Sequence, residues 1–349
     1  MKTKFFLAIT LAILTTTNLL ANQNNCPPKD DCECPPCGCD IPPCPTISAY
    51  NQSARVNVCG SWDAFVTGSF IYWEALEQGL RLGSFANTDS GATRFERVDM
   101  TSDYKAGFKA GIGYNFNYDN WTAYVEYTRF HPTIKFSKDR PSWALSFLSQ
   151  WHGSVGVLPD TLTSRWKIKY DLLDLELSRY EYRGTKLIFN PFFGLKGGWL
   201  DQSFTFTEVN SSDSLTTVVT SDSWLIGPRA GIYSKWLLGC DFSILGKAAG
   251  SLLYQKLSNL NSSINSSLGG KITAKANSIH NIAPFAELLL GLNWGSYFGN
   301  NNWYFDVFAA YELQYIWDQN YLSSTISGSA IDKSNLYFHG LNITARLDF

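Results

Sequence analysis

The sequence predicts an all-β fold: a transmembrane, antiparallel, up-and-down β-barrel of about ten strands, with an irregular Cys/Pro-rich extension ahead of it. Three observations predict it. From Ser61 onward, apolar residues recur with period two, the spacing of a strand with one buried face. The connections between these runs alternate between short and long. The final run, Leu336 to Phe349, puts Leu341, Ile343, Ala345, Leu347 and Phe349 on one face and Asn342, Thr344, Arg346 and Asp348 on the other. One apolar face and one charged face suit a wall between lipid and water.

At the N-terminus, Lys2 and Lys4 precede an apolar stretch from Phe5 to Leu14, and Leu19-Leu20-Ala21 offers a small-residue cleavage site. This is the pattern of an export signal over residues 1–21, with cleavage expected after Ala21. The stretch is too short to span a bilayer as a helix. Residues 22–60 form the second part, containing Cys26, Cys32, Cys34, Cys37, Cys39, Cys44 and Cys59 among many prolines. Proline blocks helices and central strands, so this part reads as an irregular periplasmic extension. Residues 61–349 form the barrel, and Cys240 is the one cysteine within it.

Candidate strands fall at 61–74, 104–116, 121–131, 165–180, 186–206, 223–237, 241–256, 280–294, 303–317 and 335–349. The clearest is Tyr104 to Phe116, where Ala106, Phe108, Ala110, Ile112, Tyr114 and Phe116 alternate with Lys and Gly. Asn117 to Asn120 supplies a turn, and Trp121, Ala123, Val125 and Tyr127 begin the return. Leu80–Phe85 and Ala92–Met100 could add a pair of strands, and 186–206 is long enough to hold a bulge. The strand number therefore falls within about eight to fourteen. Long polar stretches near 75–103, 132–164, 207–222, 257–279 and 318–334 read as outer loops that solvate their own backbone.

Aromatics make up 15% of the residues. Trp62, Tyr114, Trp121, Trp236, Trp294 and Trp303 fall at expected periplasmic strand ends. Tyr72, Trp73, Trp166, Trp224 and Trp317 fall at expected outer ends. Two belts at headgroup depth are the expectation for a membrane barrel. A soluble sandwich would share the alternation but have shorter strands, averaging ~5–6 residues.

Three segments resemble the pore-forming major outer membrane proteins of the Legionella type and their chlamydia-like relatives: GSWDAFVTGSFIYWEA (60–75), YKAGFKAGIGYNFNYDNWTAYVEYTRFH (104–131) and the Phe-terminated last strand. The resemblance implies a β-barrel porin in the bacterial outer membrane that passes small solutes. In some members it also implies cysteine-mediated association with neighbouring envelope proteins. This chain departs from that pattern in carrying a dense Pro/Cys segment ahead of the barrel and few cysteines within it.

With the apolar face toward lipid, alternation assigns the lumen to Lys105, Lys109, Glu126, Lys167, Lys169, Asp171, Arg229, Lys235, Lys247, Glu287, Asp306, Glu312, Arg346 and Asp348. A charge facing lipid at the midplane would cost about 2–4 kcal/mol. Gly107, Gly111 and Gly113 on the same face leave space for a bore. Such a lining either holds a water-filled field or forms salt bridges that fill the barrel. Barrels of about eight strands are filled by side chains, and about sixteen strands leave a channel.

Seven cysteines before the barrel is an odd number, so one is left for Cys240 or another molecule. Disulfide crosslinking to a second copy or to other envelope proteins is the first reading of this segment. A zinc site is the second, with CxxC spacing but no paired His nearby, and a passive linker is the third. The partners expected are outer-membrane lipid and the barrel assembly machinery, with no cofactor and no metal. A net charge of −2 gives no argument for nucleic acid. No nucleophile elbow, HExxH, P-loop or dinucleotide motif is present. His131, His152 and His280, with Asp139, Asp160, Asp201 and Asp222, fall near the outer rim but form no recognisable catalytic pattern, so no enzyme activity is expected. The function expected is passive diffusion of small solutes; the alternative is a non-conducting structural or adhesive surface barrel.

Overall fold

In the computed structural model, the described residues are 53–58, 62–88, 93–116, 120–151, 158–267, 270–322 and 334–349. The expected export signal and the cysteines from Cys26 to Cys59 lie outside them.

The chain begins its barrel with β1 (Ala64–Glu77). The first outer excursion carries β2 (Arg81–Asn87) and β3 (Arg94–Asp99). Next come β4 (Tyr104–Asn115) and β5 (Trp121–Phe130), then β6 (Thr133–Asp139) and β7 (Ser146–Ser149) in the second outer excursion. β8 (Thr161–Arg179) returns to the periplasmic side, where β9 (Glu181–Arg183) is a short edge piece. The remainder is a meander of β10 (Leu187–Val209), β11 (Ser214–Gly239), β12 (Phe242–Ser266), β13 (Lys271–Phe298), β14 (Trp303–Asn320) and β15 (Ser334–Asp348).

Ten of these strands close on themselves in the order β1, β4, β5, β8, β10, β11, β12, β13, β14, β15. β15 pairs back to β1, from Phe65 opposite Asp348 to Glu77 opposite Leu336, and β8 pairs with β10 from Thr161 opposite Val209 to Ser178 opposite Phe192. Every neighbour is antiparallel, so the barrel has no open edge to satisfy within lipid. All ten candidate strands of the sequence reading are present. The extra pair at 80–100 exists as β2 and β3, but outside the wall: with β7 it forms a separate three-stranded sheet. β10 runs unbroken, with no register shift along its pairing with β11.

The expected loops at 207–222 and 257–279 are a correction. β10 and β11 continue as a ladder to Val209 opposite Ser214, and β12 and β13 to Asn265 opposite Lys271. Apolar alternation stops where the strands leave lipid, but stretches such as LTTVVT keep a β-branched, strand-favouring composition.

The outer face carries the expected lipid band. Val66, Phe70, Phe108, Ile112, Leu195, Ile226, Leu288, Leu290 and Ile343 are all exposed. On β4 this band runs from Tyr104 to Tyr114, roughly 25 Å tall at ~3.3 Å per residue and a tilt of about 40°. Trp62, Tyr114, Trp236, Trp294 and Trp303 are exposed at its periplasmic edge, and Tyr72 and Trp317 at its outer edge. Trp73 and Trp166 are corrections to the outer belt, since both point inward and are fully buried.

The burial pattern of β8 explains them. Its even-numbered residues face inward from Leu162 to Ser178 without a break. Below Leu172 the inward residues are Asp174, Glu176 and Ser178, and the outward ones are Leu173, Leu175 and Leu177. Above Leu172 the inward residues are Trp166, Ile168 and Tyr170, and the outward ones are Arg165, Lys167 and Lys169. The strand keeps its register, but its surroundings change: lipid lies outside the lower half and water outside the upper half. The hydrophobic effect therefore sends apolar groups outward below the boundary and inward above it.

Candidate functional site

The lumen has three tiers. At membrane depth a belt of charges crosses the bore. Arg229 on β11 donates to Glu287 Oε2 at 2.6 Å and also bonds Glu176. Lys196 Nζ lies 2.8 Å from Asp174 Oδ1 and 3.0 Å from Glu287 Oε1. Lys247 reaches Glu287 at 3.1 Å. Lys109 is 2.7 Å from Glu312 and 3.8 Å from Glu126. Four cations (Lys109, Lys196, Arg229, Lys247) thus face five carboxylates (Glu126, Asp174, Glu176, Glu287, Glu312), and the belt is close to neutral. Asn342 and Gln314 donate to Glu312 at 2.7 and 2.8 Å, and the Tyr170 hydroxyl donates to Gln314 at 2.6 Å. These neutral partners stitch the belt to the tier above.

The outer tier is apolar. Trp73, Phe130, Trp166, Tyr170, Phe204, Phe285 and Phe338 point inward from the wall. They pack with Leu80, Leu82, Phe85, Phe147 and Trp151 from the two outer excursions and with Tyr321 and Leu322. Trp151 lies 4.4 Å from Phe204, centroid to centroid, and its indole N–H donates to the Arg81 carbonyl at 2.7 Å. The sheet of β3, β2 and β7 thereby seats an apolar plug in the outer mouth.

The inner tier is a vestibule of about 600 Å3 lined by Tyr124, Glu126, Tyr180, Tyr233, Lys235 and Arg346, among others. Lys235 pairs with Asp306 at 3.2 Å and Arg346 with Asp348 at 2.6 Å. The chain at 53–58 crosses its floor: Ala54 N–H donates to the Tyr180 carbonyl at 3.1 Å, and Arg55 donates to the Phe116 carbonyl at 3.0 Å. Cys240, an exposed thiol in the periplasmic turn between β11 and β12, borders the vestibule.

Against the expected lining, Lys109, Arg229, Lys247, Glu287 and Glu312 sit in the belt. Glu126 lies between belt and vestibule, and Lys235, Asp306, Arg346 and Asp348 lie in the vestibule. Lys105 keeps the inward register but ends at the outer rim, 3.3 Å from Asp103. Lys167, Lys169 and Asp171 are corrections, because all three point away from the lumen. They stand above the boundary at Leu172, where the apolar face turns inward. The space expected at the glycines is also taken. A Cβ on Gly111 would meet the Tyr124 hydroxyl, one on Gly113 the Phe65 ring, and one on Gly107 the Ile71 side chain.

Sequence reasoning missed Lys196, Asp174 and Glu176. For Asp174 and Glu176 the signal was present in YDLLDLELS, where the Leu172-Leu173 doublet marks the exchange of apolar face. Of the rim histidines, His131 bonds Asp171 at 2.9 Å and His280 bonds the Tyr254 hydroxyl at 2.5 Å. His152 lies outside the described residues. Asp160 pairs with Arg140 at 3.3 Å, Asp139 accepts from Thr161 at 3.0 Å and Asp222 accepts from Asn259 at 3.3 Å. Asp201 stands opposite Lys169 in the β8–β10 pairing.

A closed antiparallel barrel with a lipid-facing apolar band and a charged interior defines a bacterial outer-membrane protein. The family model described as Legionella pneumophila major outer membrane protein precursor matches residues 57–349, and the chain belongs to that family. No curated protein matches the sequence. Among solved structures, the outer membrane protease OmpT from Escherichia coli is similar at 10% identity and a TM-score of 0.42, over 85% of this chain and 99% of that one. The P. putida toluene transporter TodX is similar at 12% identity and a TM-score of 0.31, over 82% and 90%. A Pseudomonas aeruginosa FadL homologue is similar at 8% identity and a TM-score of 0.27, over 82% and 89%. At these scores none of the three bears on function.

Proposed function

We propose that the protein is an outer-membrane channel of the porin class, passing small polar solutes, and that the arrangement described above is its closed state. One observation carries this reading: at membrane depth the bore is crossed by a network of buried ion pairs. A buried ionic network is a poor way to stabilise a wall. Replacing such groups by well-packed hydrophobic ones is often neutral or stabilising by about 1–4 kcal/mol. Charges kept there suit a path for polar solutes, with the vestibule as its periplasmic entrance. The reading assigns no catalytic role to the rim histidines.

A second reading, a non-conducting surface barrel, draws support from the plug. The sheet of β2, β3 and β7 is packed into the outer mouth by fully buried aromatics. Conductance of the refolded protein in a planar bilayer separates the two. A channel gives infrequent current steps as wild type. It opens for much longer when the segment from Leu80 to Met100 is replaced by a short Gly/Ser turn. A barrel that still shows heat-modifiable migration yet stays silent in both forms supports the second reading.

The crosslinking role proposed for Cys26, Cys32, Cys34, Cys37, Cys39, Cys44 and Cys59 draws support from the periplasmic exposure of Cys240, their one potential partner in the barrel. Non-reducing electrophoresis of membranes tests it. Species larger than the monomer that collapse with reductant are the expected result, and a purely monomeric pattern would end the idea.

A further inference from the structure

The inner vestibule has the features of a binding site as well as of an entrance. Its space of about 600 Å3 falls within the range of small-molecule pockets, about 300–1,000 Å3. Six tyrosines line it: Tyr124, Tyr180, Tyr182, Tyr233, Tyr297 and Tyr304. They come from β5, β9, β11, β13, β14 and the residue after β8, so phenol groups converge from around the bore. The charged belt closes the space above, and the chain at 53–58 crosses it below.

One polar atom of the lining is unanswered. Asn190, on β10, is 3% exposed and points inward. Its Oδ1 has no hydrogen-bond donor among the described residues. Leaving a buried acceptor unpaired is costly, so a donor brought by water or by a solute is favoured there. Two hydroxyls nearby still have a proton to give. Tyr180 accepts from Arg346 at 3.4 Å, which leaves its own O–H free to donate. Tyr182 makes no side-chain hydrogen bond among the described residues.

The charges facing the same space are already engaged. Lys235 pairs with Asp306 and Arg346 with Asp348. Glu176 bonds Arg229, and Glu126 accepts from the Tyr124 hydroxyl at 3.0 Å. A charged solute would have to break one of these contacts to gain a counter-ion. An apolar solute would leave Asn190 unpaired and strip water from the polar lining. A neutral sugar meets both demands. Each of its hydroxyls donates and accepts, and the C–H face of its ring packs against phenol rings.

We propose that the vestibule binds a neutral sugar of one or two rings. Asn190 Oδ1 accepts from one sugar hydroxyl, and the Tyr180 and Tyr182 hydroxyls donate to others. The inference rests on the channel reading and deepens it, by naming the class of solute held at the periplasmic end of the path.

The test is calorimetric titration of the refolded full-length protein in detergent with glucose, maltose, glucuronate and glucosamine. The last two keep the sugar ring and add one charge of either sign. Glucose and maltose are expected to bind saturably, and the charged sugars at least about tenfold more weakly. N190L should lose about fivefold in affinity for maltose, the worth of one hydrogen bond. Its heat-modifiable migration should persist to the same temperature or a higher one, because an unpaired buried amide has been replaced by an apolar group. Y180F/Y182F keeps both rings and removes two hydroxyls, and should lose about tenfold or more. The control K271Q/K275Q, at exposed lysines of β13, should bind as wild type. No saturable binding of either neutral sugar would overturn the proposal. So would glucuronate or glucosamine binding as tightly as glucose, or wild-type affinity in both N190L and Y180F/Y182F. Bilayer conductance separates this from the channel reading. A silent protein that still binds maltose through Asn190 keeps the site and loses the channel, whereas a conducting one with no saturable binding does the reverse.

Discussion

Lys109 Nζ lies 2.7 Å from Glu312 Oε1, joining β4 to β14 across the two strands, β1 and β15, that separate them in the wall. Both side chains are buried, so neither charge can fall back on bulk water. Removing one partner of such a pair typically costs about 3–5 kcal/mol, because the other is left uncompensated. K109M should therefore lower the temperature of heat-modifiable migration, and the K109M/E312L double variant should recover most of the loss. A double variant as weak as the single one would show that the pair acts through something other than its charges.

The plug should come apart before the barrel. Trp151 joins the outer excursions to the wall through Phe204 and the Arg81 carbonyl. Truncating a buried Trp costs about 3–5 kcal/mol, and here the loss falls on the plug, which shares no strand pairing with the wall. W151A is expected to speed proteolysis within residues 78–103 and 140–160 while heat-modifiable migration stays as in wild type. Loss of that migration would mean that plug and barrel form one cooperative unit.

The wall was legible in the sequence because lipid imposes one rule on every strand at membrane depth. Phe108, Ile112, Leu290 and Ile343 could face only outward, and period two then placed Lys109, Glu287 and Glu312 inside. The rule failed at Lys167 and Lys169 because alternation shows two unlike faces but not which solvent lies outside. On β8 the answer changes at Leu172-Leu173 without any change of register. The plug was illegible for a different reason. Phe85, Phe147 and Trp151 lie in short strands within polar excursions, and their burial depends on tertiary contact with Phe204 and its neighbours rather than on local pattern.

The seam between β8 and β10 tolerates no side chain at Gly194. A Cβ there would stand 1.8 Å from the Leu175 carbonyl oxygen. Backbone cannot yield as a flexible side chain does, and overpacking of this kind costs about 1–3 kcal/mol. G194A should fold in lower yield and lose heat-modifiable migration at a lower temperature. G184A, at a periplasmic turn with open space but a φ of +74°, should cost less, about 1 kcal/mol of backbone strain. Equal behaviour of the two variants would sink the steric account.

Asp213 ties two outer turns together above the membrane. It follows β10 in the turn to β11, and it accepts from the hydroxyl and amide of Ser267 and from the Ser266 hydroxyl at the far end of β12. The Ser267 hydroxyl, helped by Ser266 and the nearby amides, holds its carboxyl below the usual carboxylate range, against the smaller opposing effect of burial. A group with a depressed folded-state pKa stabilises its structure above the unfolded value, about 3.9 for Asp, and that contribution is lost as pH falls through the folded one. The tie should therefore be intact at neutral and mildly acidic pH and loosen only at the acid extreme. Hydrogen exchange at residues 210–214 and 264–267, corrected for the intrinsic effect of pH, should be slow at about pH 6 and faster below about pH 3. D213N should exchange faster than wild type at the higher pH and lose the acid-dependent step. An acid step that survives in D213N would assign it to another carboxylate.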